Sequence, residues 1–160
     1  MKVLSVVGNR PQFVKSAPLS VALLLAGIDE VVVHTGQHYD RELSEVFLEE
    51  LGLPEPRHRL GLKTADPEVM QPEIERAVRR ESPDLVLVYG DTNSTLAGAR
   101  AASASSVPLA HVEAGLRSGD LSMPEEHARI EVDRLSFLLF CPNDRSRATL
   151  ADEGVLGQVH

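Results

Sequence analysis

Residues 85–112, LVLVYGDTNSTLAGARAASASSVPLAHV, set two apolar runs, LVLVY (85–89) and PLAHV (108–112), on either side of a segment with helical spacing at 93–104. Apolar, β-branched runs that do not alternate with polar residues read as strands buried on both faces, the mark of a parallel sheet. Parallel neighbours need a crossover connection, and the helix between them supplies it. The pattern extends in both directions. Strand-like runs recur at KVLSVV (2–7), VVVHT (31–35) and FLLFC (137–141), and helical spacing recurs at 12–26, 40–51, 67–81, 124–136 and 143–152. Asp66, Asn93 and Asn143 stand as N-cap candidates, with Gly27, Gly52 and Gly154 as stop signals. Right-handed crossovers between such units give an α/β domain, a Rossmann-like doubly wound parallel sheet with helices on both faces. Segment 53–64, LPEPRHRLGLKT, reads equally as a short extra strand at HRLGL or as a surface crossover loop, and the terminal VLGQVH reads as the entry of a further strand.

Composition bounds the function. The 160 residues, 42% hydrophobic and 25% charged, suffice for one core and predict a single domain over 1–160. Lys and Arg number 16 against 24 Asp and Glu, for a net charge of -8, with no basic run able to track a phosphate backbone, so nucleic acid is not an expected partner. The longest apolar stretches, VALLLAG, LVLVY and FLLFC, fall far short of the roughly 20 residues of a membrane span. No small-residue cleavage site follows MKVLSVVGNRP, and the expectation is a soluble, cytoplasmic protein with no membrane partner. The single cysteine, Cys141, allows no internal disulfide and reads as a small buried hydrophobe.

Parallel strands bring all their C-terminal ends to one edge, where open α/β proteins keep their ligands. The first such loop, GNRPQFVK (8–15), has Gly8 for a tight turn and Pro11 to pre-set the first helical turn. Arg10 and Lys15 add positive charge to a helix N-terminus that already favours anions, although a solvated arginine and lysine account for them equally well. Neither GxGxxG nor a P-loop is present. TGQHYD (35–40) contributes Gln37, His38, Tyr39 and Asp40, and VYGDTNST (88–95) contributes Asp91. HVEAGLRSGDLSMPEEHAR (111–129) contributes Glu113 at a strand end and Glu125 and Glu126 at a helix start behind Pro124. Taken singly, Asp91 is an ordinary helix cap and Glu125 with Arg129 an ordinary i,i+4 ion pair. Taken together, Arg10, His38, Asp91 and Glu113 gather ionisable groups on one sheet edge, as proton-transfer chemistry requires.

GNRPQFVK, TGQHYD, VLVYGDTNSTLAGA, HVEAGLRSGD and MPEEHAR, in this order and spacing, resemble the N-terminal domain of the non-hydrolysing UDP-N-acetylglucosamine 2-epimerase family over essentially all 160 residues. The resemblance implies a B-type glycosyltransferase-like architecture of two Rossmann-like domains, of which this chain matches the first and lacks the second, UDP-binding one. It implies interconversion of UDP-N-acetylglucosamine and UDP-N-acetylmannosamine by elimination of UDP to a 2-acetamidoglucal and re-addition, in cell-envelope polysaccharide biosynthesis. No cofactor and no metal is implied, the partners are UDP-N-acetylglucosamine and UDP, and the full-length protein is expected to be a homodimer. Residue by residue, Asp91, Glu113 and Glu125 match the catalytic carboxylates, and Arg10, Lys15 and Arg129 match substrate-binding residues. Gln37 and His38 match a loop that binds an activating second nucleotide sugar in bacterial relatives. The sequence departs from the family at PEEHAR, where Ala128 takes the asparagine position of PEE-x-N-R, and at QHYD, which replaces QHR. With the second domain and its catalytic histidine missing, the chain alone is expected to bind nucleotide sugar weakly and turn nothing over. Two alternatives stand beside this reading: a non-catalytic nucleotide-sugar binding or regulatory domain, and a 2-epimerase half for a modified UDP-hexosamine.

Overall fold

The computed structural model describes residues 1–37 and 54–160. The chain runs β1 (Lys2–Val7), α1 (Arg10–Leu25), β2 (Asp29–His34), β3 (His58–Arg59), α2 (Pro67–Glu81), β4 (Leu85–Tyr89), α3 (Asn93–Ala104), β5 (Leu109–Val112), α4 (Pro124–Leu135), β6 (Leu138–Phe140), α5 (Asp144–Asp152) and β7 (Gln158–Val159). Among the described residues seven strands form one sheet in the order β3-β2-β1-β4-β5-β6-β7, and every pairing is parallel. The order reverses between β1 and β4. That switch point leaves a crevice beyond the strand ends, and the doubly wound Rossmann-like reading is correct. The helix read over 40–51, with Gly52 as its stop, lies outside the described residues.

Both faces of the sheet are apolar, as the unbroken strand runs require. Leu4, Val6, Val33, Val86, Val88 and Leu109 pack against Met70, Ile74, Ala77 and Val78 of α2 and against the small residues of α3. On the other face Val3, Val7, Val32, Leu85, Leu87 and Tyr89 meet Phe13, Leu19 and Leu23 of α1. Each such valine or leucine taken out of water contributes on the order of 1.5–3 kcal/mol. The α2 residues recur at a helical stripe of 3.6 spacing, which is why this segment forms a one-sided helix. In α3 the stripe is alanine and glycine, because the helix sits close to the sheet: a Cβ on Gly98 would stand 3.0 Å from Val88 Cγ1 and 3.2 Å from Val6 Cγ2.

Caps agree with the sequence at Asp66, which accepts from the Glu68 N–H, and at Asn143, which accepts from the Ser146 N–H. At α3 the cap is Thr92 and not Asn93: the Thr92 hydroxyl accepts from the Thr95 N–H and Asn93 is already helical. Gly27 and Gly154 both adopt positive φ just past their helices. HRLGL yields the two-residue β3, held by its pairing to β2, and VLGQVH yields β7. Cys141 lies one residue beyond β6 and is half-buried, short of the full burial read from the sequence. Burial raises the pKa of its thiol. No helix among the described residues is long and apolar enough to cross a membrane.

Candidate active site

Three loops meet at the switch point. The turn after β1 is fastened to the turn after β4 by Gln12, a residue of α1 that is 1% exposed. Its Oε1 accepts from the Gly8 N–H at 2.7 Å, while its Nε2 is 3.0 Å from the Tyr89 carbonyl and 2.9 Å from the Thr95 hydroxyl. The amide thus satisfies donors and acceptors on both sides of the crevice at once. Gln12→Leu, similar in size, leaves the Gly8 N–H buried without its partner and takes one of two donors from the Tyr89 carbonyl, which keeps the Thr95 hydroxyl at 2.6 Å, and stability should fall by about 1–3 kcal/mol. A chemical-denaturation midpoint unchanged from wild type would contradict that role. Gly8 is required by packing and not by a left-handed turn: a Cβ there would stand 2.1 Å from Ser94 Oγ and 2.5 Å from Thr35 Oγ1.

Lys15, one turn further along α1, reaches across to Glu113 beyond β5, with Nζ 2.5 Å from Oε2. Both side chains are about one-third exposed, 34% and 31%. The pair closes over Gly90, where a Cβ would stand 3.2 Å from Glu113 Oε2 and 3.3 Å from Lys15 Nζ. Glu113 itself has φ +74, a left-handed conformation that a glutamate adopts only at a cost of order 1–3 kcal/mol. It is held there because the N–H groups of both Glu113 and Ala114 donate to the Phe140 carbonyl at 3.1 Å. Strain fixed by neighbouring structure at a charged strand-end residue is a pointer to function.

Asp91, after β4, forms an ion pair with Arg129 of α4. Arg129 also approaches Glu126 Oε2 at 3.4 Å, so it faces the strand-end loops and not Glu125, and the i,i+4 pair read from the sequence gives way to these contacts. Glu125 is exposed in the first turn of α4, and Arg10 is exposed at the first residue of α1. Lys15, Glu113, Asp91 and Arg129 thus converge, with Arg10 on the same edge. Ala128 is buried in the helix face toward the core. The Gln37 Oε1 accepts from the Ser94 N–H at 3.1 Å and the Ser94 hydroxyl at 2.7 Å, tying its loop to the start of α3. His38, Tyr39 and Asp40 lie outside the described residues.

Glu126, and not its neighbour, organises the loop ahead of α4. It is 2% exposed and accepts from the Ser118 N–H at 2.9 Å, the Ser118 hydroxyl at 3.0 Å and the Gly119 N–H at 3.0 Å. Burial pushes its carboxyl pKa up, but these donors, with Arg129, outweigh burial and hold it below the usual glutamate value. A folded-state pKa below the unfolded one contributes stability that is complete above the ordinary carboxylate range and is lost as pH falls through the depressed value. The protection factors of the Ser118 and Gly119 amides, their exchange rates taken relative to the intrinsic rate at each pH, should therefore fall on acidification below the ordinary glutamate range, and Glu126→Gln should remove that pH dependence. A flat profile in the wild type would refute the clasp.

Sequence reasoning gave no site role to Gln12, His111 or Asp133, and read Glu126 only as an acid at a helix start. Glu126 and Asp133 carry a signal, since seven residues place both acids on one face of α4. Gln12 carries none. Among the described residues no group of three His, Cys, Asp or Glu side chains is placed to hold a metal ion.

Comparison with known proteins gives the family and the fold. Residues 25–159 match the family model described as UDP-N-acetylglucosamine 2-epimerase. The chain is 48% identical over 159 residues to the UDP-2,3-diacetamido-2,3-dideoxy-D-glucuronate 2-epimerase of Pseudomonas aeruginosa, covering 96% of this chain and 45% of that protein. The crystal structure of Methanocaldococcus jannaschii UDP-GlcNAc 2-epimerase in complex with UDP-GlcNAc and UDP superposes with a TM-score of 0.93 at 39% identity, over 100% of this chain and 46% of that one. A glycosyltransferase of Streptomyces sp. SF2575, at 19% identity and TM-score 0.59, shares the fold. The chain thus spans about half the length of the relatives it matches, corresponding to their N-terminal part. With its parallel sheet, its charged switch point and its motifs from GNRPQFVK to MPEEHAR all in agreement, the chain belongs to the UDP-N-acetylglucosamine 2-epimerase family.

Proposed function

We propose that this chain is the N-terminal half of an epimerase that inverts C2 of UDP-N-acetylglucosamine to give UDP-N-acetylmannosamine. The observation that supports this most is the pairing of two of the three candidate carboxylates with a cation at the switch point, Glu113 with Lys15 and Asp91 with Arg129, within a chain of this family. A C2 proton is weakly acidic and needs a positioned carboxylate to remove it, and a departing diphosphate needs cationic or dipolar stabilisation. In the proposed reaction a carboxylate takes the C2 proton, the C–H electron pair forms the C1–C2 double bond, and the C1–O bond breaks with its pair on UDP. UDP then adds back to C1 of the 2-acetamidoglucal while a proton is delivered to the opposite face of C2. Asp91, Glu113 and Glu125 are the carboxylates of this cycle. Arg10, Lys15, Arg129 and the N-terminus of α1 serve the diphosphate and sugar. Gln37 and His38 belong to the activator loop, and a second half supplies the uridine contacts. The working protein in this reading is a cytoplasmic homodimer serving cell-envelope polysaccharide synthesis.

A second reading has its own support. The 48% identical relative is a UDP-2,3-diacetamido-2,3-dideoxy-D-glucuronate 2-epimerase, so a substrate of that kind competes with the simple hexosamine. Offering the full-length protein both nucleotide sugars in parallel, with products identified by the H1–H2 coupling in proton NMR, separates the two. Conversion of UDP-N-acetylglucosamine supports the first reading, conversion of the diacetamido sugar alone supports the second, and binding without conversion of either leaves a nucleotide-sugar binding module.

A further inference from the structure

His111, the third residue of β5, is fully buried, and both ring nitrogens bond to groups assigned no role above. Its Nε2 is 2.7 Å from the Gly90 carbonyl oxygen, and its Nδ1 is 2.7 Å from Asp133 Oδ1. A carbonyl oxygen can only accept, so Nε2 carries a proton and donates it. Asp133, also 0% exposed, holds more than the ring: its Oδ2 accepts from the Gly115 N–H at 3.1 Å and from Arg117 Nη1 at 2.8 Å. Arg117 is braced in turn by a two-point pair with Glu153, at 2.9 and 2.8 Å.

These contacts converge on two positions. Gly90 precedes Asp91, has φ +65 and packs against the Lys15–Glu113 pair. Gly115 closes the turn that begins at Glu113, and its φ is +76. One buried ring therefore links the backbone carrying Asp91 to the turn carrying Glu113, through Asp133 of α4. Loops are ordinarily the most mobile parts of a fold, and two carboxylates that share a proton-transfer task must keep a fixed separation.

We propose that His111 is a positioning residue for C2 epimerisation: its Nε2–H, anchored through Asp133, fixes the Gly90 carbonyl and so sets Asp91 against Glu113. The inference rests on the epimerase reading. It assigns the ring no contact with substrate and no proton from it.

The two amide replacements divide the ring's contacts. Asparagine places its amide nitrogen near the Nδ1 position, retaining Asp133 and releasing Gly90, whereas glutamine places it near Nε2 and retains Gly90. In the full-length protein, per folded molecule, H111N should lose about 100-fold in kcat, the scale of a misplacement of about 1 Å, with KM within about threefold of wild type. The primary isotope effect on C2-deuterated substrate should rise as proton transfer becomes slower. H111Q should recover to within about tenfold of wild type. A merely structural role would lower melting temperature and active fraction, but it would leave kcat per folded molecule and the isotope effect unchanged. Equal kcat in H111N and wild type, or equal losses in H111N and H111Q, overturns the inference. If H111N does not fold, H111Q decides alone: turnover within about tenfold of wild type supports the inference, and a 100-fold loss overturns it. Wild-type protein that turns over neither nucleotide sugar overturns the epimerase reading and this role together, whereas active wild type with an unaffected H111N overturns this role only.

Discussion

Glu113→Gln in the full-length protein should lower turnover at least about 100-fold, the usual scale for loss of a general acid or base, while the fold survives. The amide is isosteric and can still accept from Lys15 Nζ, now 2.5 Å from the carboxylate. The backbone of residue 113 remains tied to the Phe140 carbonyl. What the substitution removes is the ability to take and return a proton. Because both partners of the Lys15–Glu113 pair are about one-third exposed, 34% and 31%, solvent screens the lost ion pair, which contributes no more than about 1 kcal/mol. Turnover and stability should therefore separate, with kcat collapsing and the melting temperature nearly unchanged. Wild-type rates in this variant would exclude Glu113 from proton transfer.

Gly115→Ala should bring a large loss of stability. Gly115 has φ +76, and a Cβ there would stand 2.3 Å from the Ser146 carbonyl oxygen and 2.8 Å from its carbon. The left-handed conformation costs an alanine roughly 1–2 kcal/mol. The contact is with backbone in the first turn of α5, so relief requires moving a helix, which adds about 1–3 kcal/mol. A combined loss of about 3 kcal/mol lowers the melting temperature of a chain this size by roughly 6–12 °C. Gly27 supplies the control, since it has φ +67 but nothing within 4 Å of its Cβ position. Gly27→Ala should show only the conformational part. Equal losses in the two variants, followed by circular dichroism on heating, would mean that the turn does not bear on α5.

The parts of this fold that were legible in the sequence are those fixed by local chemistry. LVLVY declares itself as a buried parallel strand because an apolar run without polar interruption has few other uses, and KVLSVV does so with Ser5 as its one break after Lys2. The stripe from Met70 to Val78 declares a helix, and Asp66 and Asn143 declare two starts. The edge placement of Arg10, Asp91 and Glu113 was legible because a charged residue just past a buried strand must lie on the sheet's C-terminal edge, whereas Lys15, the sixth residue of α1, was legible only as a charge on the helix that follows β1. What was illegible depends on distant partners. β3 is two residues long and exists through its pairing to β2, so the local pattern at HRLGL left strand and loop equally open. Gly8 invites a turn explanation, but its requirement comes from Ser94, far along the chain. Gln12, Glu126 and Asp133 are polar residues made essential by burial, and burial belongs to the whole fold. The Thr92 cap and the turning of Arg129 toward Asp91 are corrections of the same kind, small shifts of helix start and side-chain direction imposed by neighbours.

The central claim is that proton removal at C2 occurs at the edge built by Asp91, Glu113 and their cations. The most direct measurement is incubation of the full-length protein with UDP-N-acetylglucosamine in deuterated water, followed by mass spectrometry and proton NMR of the recovered nucleotide sugars. Deuterium at C2 of the UDP-N-acetylmannosamine formed, with its incorporation slowed at least about 100-fold in Glu113→Gln, is the predicted result. Epimerisation without deuterium at C2, or incorporation at the wild-type rate in that variant, would contradict it.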